Sequence, residues 1–161
     1  LPRLHGGDFQ AVAAHNASFD TGFIPFEVPA LCTRRLALKL WPDLEHSSNQ
    51  FLRYHFRLAC PEVKGLAAHR AESDALVTAH LLLFELEEVL SRSKDPAVAT
   101  VEALVAWVNT PTLLKTCRFG KHKGTPWAEV PKDYLQWMVS PRGMTDMEED
   151  LRFTVLHFLQ K

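Results

Sequence analysis

Residues 69–90 form the longest patterned stretch of the chain and constrain its fold most. Six polar or small residues, His-Arg-Ala-Glu-Ser-Asp, open it, and from Ala75 to Leu90 apolar residues recur at three- and four-residue spacing. That spacing predicts a buried helix with His69 and Asp74 at its start. The residues predicted to face the core are Leu76, Ala79, Leu83, Leu86 and Leu90. The residues predicted to face solvent are Glu85, Glu87 and Glu88.

A second polar cluster, His-Asn-Ala-Ser-Phe-Asp at residues 15–20, follows an apolar run from Phe9 to Ala14 that suits a strand. Ser18 is expected to cap a short helix that begins at Phe19. A second brief strand is expected at residues 31–32, before a helix over 33–41. Taken alone, each polar cluster is explained by helix capping and solvated side chains, because acidic groups are favoured in a first helical turn.

The composition indicates one ordinary globular domain, or a domain with a small appendage. The chain has 161 residues, of which 47% are hydrophobic and 23% charged, with a formal net charge of -1. This balance gives no overall basic field of the kind found in proteins that coat DNA, although it permits a local groove for a short strand. No apolar run approaches the ~20 residues of a membrane span.

The three cysteines are far apart and show no zinc-binding spacing, so we expect isolated thiols in a reducing cytoplasm. The sequence lacks the Gly-x-Ser-x-Gly pattern of many serine hydrolases. The segment from Gly120 to Gly124 lacks the Gly-Lys-Ser/Thr ending of a phosphate-binding P-loop. These patterns therefore exclude the simplest zinc-site, serine-hydrolase and nucleotide-binding interpretations.

In this order, the two polar clusters resemble the second and third motifs of the DEDDh (DnaQ-like) 3′-5′ exonucleases. The resemblance implies an α/β, ribonuclease-H-like exonuclease fold and phosphodiester hydrolysis with two Mg²⁺ (or Mn²⁺) ions. By the same resemblance, His69 is the general base, and Asp20 and Asp74 are metal ligands. His15 and Asn16 are expected to contact the nucleic acid.

The resemblance also implies that Phe19 packs behind the site, and that an Asp-x-Glu pair lies on a strand upstream. Here the only acidic residue before His15 is Asp8, and Gln10 stands where the Glu would be. We therefore expect this chain to begin after the first strands of the family's sheet. Without that carboxylate pair, we expect the chain alone to be inactive and its sheet edge to be uncovered.

A second resemblance covers the C-terminal part of the chain. Residues 119–124, Phe-Gly-Lys-His-Lys-Gly, and the later Tyr-Leu-Gln-Trp at 134–137 resemble the small terminal domain of the exodeoxyribonuclease X type. The two glycines predict a tight turn that presents Lys121 and Lys123 to solvent, where they could contact phosphates. Lysine, tyrosine and tryptophan close together suit single-strand contact through phosphate charge and base stacking, but the three-residue spacing of Tyr134 and Trp137 favours core packing for these two aromatics. A Thr145–Glu148 capping box is predicted to begin the last helix.

Three segments follow from these patterns: a partial exonuclease domain at 1–93, a connecting helical segment at 94–116, and a small α+β domain at 117–161. The function expected is a 3′-5′ exodeoxyribonuclease that acts on single-stranded DNA or DNA 3′ ends. The preference for DNA comes from the resemblance alone. The alternatives are a non-catalytic module that binds single-stranded nucleic acid or a protein partner, and a structural fragment without independent function.

Overall fold

The computed structural model describes residues 9–24, 27–65, 70–93 and 100–161. The chain divides into two compact units. The N-terminal unit comprises Leu1–Leu40 and His46–Thr110, and the C-terminal unit comprises Trp41–Glu45 and Pro111–Lys161. His69, the predicted general base, lies outside the described residues, as do residues 94–99 of the predicted connecting segment.

The N-terminal unit contains a small parallel sheet and helices, so it is mixed α/β as predicted. Its elements are β1 (Val12–Ala14), α1 (Ala17–Thr21), β2 (Ala30–Cys32), α2 (Thr33–Leu40), α3 (Asn49–His55), α4 (Ala71–Arg92) and α5 (Val101–Asn109). Strands β1 and β2 pair in parallel, with Val12 opposite Ala30. The α1 crossover between them satisfies the requirement that parallel strands be joined by more than a hairpin.

Side-chain capping accounts for the start of α3 but not for the start of α1. The Ser48 side chain accepts a hydrogen bond from the Phe51 backbone N–H at 3.4 Å and caps α3. Ser18 does not cap α1, because that helix already begins at Ala17, directly after Asn16. Asn16 has φ 67° and ψ 50°, a left-handed conformation that asparagine tolerates better than most residues. The chain therefore turns from β1 into α1 through this one residue.

The buried face of α4 is not the predicted one. The buried side chains of this helix are Ser73, Val77, Thr78, Leu81, Glu85 and Val89. Leu83 and Leu90, predicted to be core, are each 60% exposed, whereas Glu85, predicted to be solvated, is completely buried. Leucines lie on several sides of this helix, so apolar spacing alone did not determine which row packs inward.

Burial of Glu85 has an electrostatic consequence. Desolvation, and secondarily the nearby Cys32 thiol, raise the pKa of the Glu85 carboxyl to about 10. Neither carboxyl oxygen has a hydrogen-bond partner among the described residues. The side chain is therefore protonated and neutral at physiological pH within the core of the N-terminal unit.

The C-terminal unit is mostly helical, with α6 (Lys132–Val139) and α7 (Glu149–Leu159) packed on a core that includes Trp127 and Val155. The segment before these helices is tied to α7 by side chains. The Asp150 carboxylate accepts from the Thr112 N–H at 2.8 Å, and the Thr154 hydroxyl accepts from the Leu114 N–H at 2.9 Å. These bonds satisfy buried backbone donors that no sheet ladder pairs.

The predicted capping box at Thr145–Glu148 is wrong. Helix α7 starts at Glu149, four residues after Thr145, and Glu148 precedes it without a side-chain capping bond. A capping box needs its Ser or Thr at the residue immediately before the helix, so Thr145 is too far upstream to act.

Among the described helices of either unit, none is both long and apolar enough to cross a membrane.

Candidate active site

A cleft of about 630 Å³ lies in the N-terminal unit, bordered by the end of β1, by α1, and by the first turns of α3 and α4. His15, Asp20 and Asp74 all line it. These residues come from two separate sequence motifs, and the fold brings them to one place. The carboxyl end of β1 delivers His15, α1 carries Asp20, and the first turn of α4 carries Asp74.

Asp74 is held by two amide side chains at the start of α3. Its Oδ1 accepts from Gln50 Nε2 at 3.1 Å, and its backbone carbonyl accepts from Asn49 Nδ2 at 3.0 Å. Asn49 Nδ2 also donates to the Thr78 hydroxyl at 3.1 Å. Gln50 therefore orients the Asp74 carboxylate by holding its Oδ1 atom.

Asn49 and Gln50 were missed by the sequence interpretation. The available signal was a pair of amides directly after the Ser48 cap, ahead of the apolar residues of α3. Their partner, Asp74, is 24 or more residues away, so no local pattern connects them. Both amides line the cleft, where Gln50 positions the Asp74 carboxylate and Asn49 holds the backbone carbonyl of the same residue.

Asp20 lies near the end of α1, where its backbone carbonyl accepts from the N–H groups of Phe23 and Ile24. The neighbouring Phe19 does not pack behind the site as predicted. It is 64% exposed, and its ring lies 5.0 Å from that of Phe23. Because α1 buries Ala17, a residue two positions further on points to the opposite side of the helix.

His15 forms part of the cleft wall through two hydrogen bonds. Its Nε2 lies 2.8 Å from the Ser47 carbonyl oxygen, and its Nδ1 lies 2.9 Å from the Thr33 hydroxyl. A carbonyl only accepts, so Nε2 bears the proton and Nδ1 accepts from Thr33. Burial lowers the pKa of His15, and the Arg34 charge adds to this, while the Ser47 carbonyl and Asp74 oppose it. The ring is therefore neutral at physiological pH, and both nitrogens are occupied.

Replacing His15 by alanine is expected to lower the free energy of unfolding by about 1–3 kcal/mol, since it leaves buried Thr33 without this partner. Because the pKa of His15 is lower in the folded state than its unfolded value of 6.5, its contribution to the free energy of unfolding is present above pH 6.5. That contribution is lost as the pH falls through the folded pKa. Urea unfolding at about pH 8 and about pH 5 measures both effects. A His46→Ala variant, altered at an exposed histidine, is the control. Equal losses in the two variants would contradict the assignment.

The other residues predicted to contact nucleic acid do not line the cleft. Asn16 is exposed beside the cleft, and its side-chain oxygen is 3.5 Å from Arg34 Nη1. Lys121 and Lys123 belong to the C-terminal unit, where both are exposed on the glycine-bounded turn. The turn has positive φ at both of its glycines, as predicted. A contact of these three residues with nucleic acid stays a prediction.

The carboxylates of the cleft suit a divalent metal in type but not in number. Asp20 and Asp74 supply the hard oxygen ligands that Mg²⁺ and Mn²⁺ prefer. In the part of the chain with described coordinates, however, no group of three or more His, Cys, Asp or Glu side chains is arranged to hold a metal ion. Two carboxylates are fewer than a pair of metal ions needs.

Comparison with known proteins identifies the family. No family model matches the chain. Exodeoxyribonuclease 10 of Escherichia coli strain K12 is 32% identical over 165 residues, which span 99% of this chain and 69% of the relative. The protein of the same name from E. coli O6:H1 matches equally well. The chain belongs to the exodeoxyribonuclease 10 family.

A solved structure supports this membership in the exodeoxyribonuclease 10 family of DnaQ-like exonucleases. Exonuclease X in complex with 5′-overhanging duplex DNA superposes with a TM-score of 0.52 at 30% identity. The match covers 63% of this chain and 56% of that one, so the chain spans little more than half of the solved protein. The resemblance inferred from the sequence motifs is thereby confirmed.

Proposed function

We propose that this chain carries part of the catalytic machinery of a ribonuclease-H-like 3′-5′ exodeoxyribonuclease, acting on single-stranded DNA or DNA 3′ ends. The observation that carries the proposal is the meeting of Asp20 and Asp74, from separate motifs, in one cleft. Membership in the exodeoxyribonuclease 10 family and the DNA complex of the structural neighbour support it. DNA is therefore the proposed substrate and partner.

In this proposal Asp20 and Asp74 contribute oxygen ligands for Mg²⁺ or Mn²⁺. When bound, such ions would lower the pKa of water and offset the charge of the phosphate. Gln50 orients the Asp74 carboxylate through its 3.1 Å hydrogen bond to one carboxylate oxygen. His69 accepts the proton of the attacking water, a role that suits an imidazole near neutral pH.

The proposed ligand set is incomplete within this sequence stretch. No Asp-x-Glu pair precedes His15, and the described residues offer only two carboxylates at the cleft. We therefore expect slow or absent turnover by the 161-residue chain alone. We expect full turnover when an upstream strand with an Asp-x-Glu pair is supplied on the same polypeptide.

The test follows 5′-labelled DNA with a free 3′ end, in Mg²⁺ or Mn²⁺. It uses this chain and the chain extended by the coding sequence immediately upstream of Leu1, where that sequence encodes an Asp-x-Glu strand. Shortening from the 3′ end should fall at least about 100-fold in Asp74→Asn and in His69→Ala. Asp43→Asn is the matched control, because its carboxylate pairs with Lys115 at 2.6 Å in the C-terminal unit.

Two results would overturn the catalytic proposal. Shortening that persists in Asp74→Asn would place the activity in other residues. An extended protein that binds DNA with steep salt dependence but never shortens it would replace catalysis by a binding function.

A further inference from the structure

Helix α6 carries a stacked aromatic pair, of which Tyr134 is half-buried against the core and Trp137 is exposed. The rings of Tyr134 and Trp137 are 5.4 Å apart with an interplanar angle of 28°, which is a stacked arrangement. Trp137 is 46% exposed, although the sequence pattern predicted it to be core. The same helix instead buries Leu135 and Met138. The indole therefore presents apolar surface to solvent that internal packing does not explain.

The glycine-bounded turn brings a lysine and a histidine to this aromatic pair. Lys121 Nζ lies 5.0 Å from the centre of the Tyr134 ring, and the His122 ring meets the same tyrosine edge-on at 4.6 Å. Gly120 makes the approach possible, since a Cβ at this position would lie 3.0 Å from the tyrosine hydroxyl. We call Lys121, His122, Tyr134 and Trp137 the aromatic platform.

The charge around the aromatic platform favours a polyanion. Residues 117–124 contain Arg118, Lys121 and Lys123 and no acidic residue. Between this turn and Tyr134 the sequence has two acids, Glu129 and Asp133, and Asp133 Oδ1 accepts from the Tyr134 N–H at 2.7 Å. Stacked aromatic rings beside exposed lysines suit a single strand, whose bases stack while its phosphates contact the cations. A duplex hides its base faces and offers no such stacking.

We propose that the aromatic platform binds a single strand of DNA, with a base stacked on Trp137 and phosphates against Lys121 and Lys123. The choice of DNA as the occupant rests on the proposed function. The reason for choosing a single strand, the stacked rings beside exposed lysines, does not depend on the proposed function. The C-terminal unit thereby gains a binding function separate from the cleft of the N-terminal unit.

The test measures the anisotropy of a labelled oligothymidine of about a dozen nucleotides, titrated with the 161-residue chain in EDTA so that no cleavage occurs. Trp137→Ala should weaken binding at least about fivefold, and Trp137→Phe, which keeps a ring, should restore most of the affinity. Phe153→Ala is the matched control, since Phe153 is 42% exposed in the same unit. Circular dichroism checks that each variant is folded.

Salt dependence separates phosphate contact from structural effects. Lys121→Ala should reduce the slope of log Kd against log salt by about one unit. Lys161→Ala should leave that slope unchanged, although this lysine also lies over a ring, 5.7 Å from the centre of Phe158. Absence of binding, or equal losses in Trp137→Ala and Phe153→Ala, would overturn the platform.

Failure of the aromatic platform can be distinguished from failure of the proposed catalytic site. Asp74→Asn tests cleavage in the presence of the metal, whereas Trp137→Ala tests oligothymidine binding in EDTA. If DNA shortening does not depend on Asp74 while binding depends on Trp137, the platform stands and the proposed catalytic site falls. The reverse pattern removes the platform alone.

Discussion

Replacing Glu85 by glutamine is expected to raise the free energy of unfolding at neutral pH by about 1–3 kcal/mol. The wild-type carboxyl has an unfolded pKa near 4.5 and a folded pKa of about 10, because it is desolvated and has no partner among the described residues. At pH 7 the Glu85 carboxyl ionises in the unfolded chain but not in the folded protein, and this stabilises the unfolded state. Glutamine cannot ionise and has a similar volume, so the substitution removes that stabilisation of the unfolded state.

The raised pKa of Glu85 also determines how stability depends on pH. The folded state binds the proton more tightly than the unfolded state, so the contribution of Glu85 is fully present below pH 4.5 and is lost as pH rises toward 10. His15 acts in the opposite direction in acid, because its folded pKa is lowered. Wild-type stability should therefore decline on the alkaline side more steeply than that of Glu85→Gln.

Urea unfolding at about pH 5.5, pH 7 and pH 8.5 tests this expectation. Glu87→Gln is the matched control, because Glu87 lies on the same helix and is exposed. A Glu85→Gln variant that is less stable than wild type at pH 7 would contradict the prediction. So would a pH profile identical to that of wild type.

Replacing Gly143 by alanine is expected to destabilise the C-terminal unit by more than about 3 kcal/mol. A Cβ here would overlap the Trp137 carbonyl oxygen and come within 2.7 Å of the Met138 carbonyl oxygen. These are backbone atoms at the end of α6, and they cannot move aside as a flexible side chain could. The Met144 N–H also donates to the Met138 oxygen at 3.1 Å, so displacement breaks the turn.

Thermal unfolding of Gly143→Ala against Gly124→Ala separates steric overlap from backbone strain. Gly124 has φ 85°, but an added Cβ meets nothing within 4 Å, so its substitution should cost only about 1 kcal/mol. Because α6 carries Trp137, the Gly143 variant should also lose oligothymidine binding. Similar midpoints for the two variants would show that the end of α6 tolerates the overlap.

Local preferences predicted some features correctly, namely the strands around Ala13 and Leu31 and the turn between the C-terminal glycines. They did not predict the starts of α1 and α7, where the expected Ser18 cap and Thr145–Glu148 capping box do not form. The joint presence of Asp20 and Asp74 in one cleft agrees with their motif spacing, although their metal-binding role stays a prediction.

Features determined by distant contacts were not predicted. The buried row of α4 depends on which side α2 and α3 cover, and that choice puts Glu85 inside and Leu83 outside. Gln50 could not be linked to Asp74 from sequence, because the contact joins two helices. Trp137 was assigned to the core because helical spacing identifies apolar residues without showing which of them solvent reaches.

The buried cysteines can report local unfolding of each unit separately. Cys32 and Cys60 in the N-terminal unit and Cys117 in the C-terminal unit are all unpaired and buried, and burial also raises the pKa of Cys60. Alkylation requires an accessible thiolate, so each thiol reacts only when its surroundings open. Mass spectrometry of partly alkylated chains would therefore show which half of the polypeptide opens first, without any introduced label.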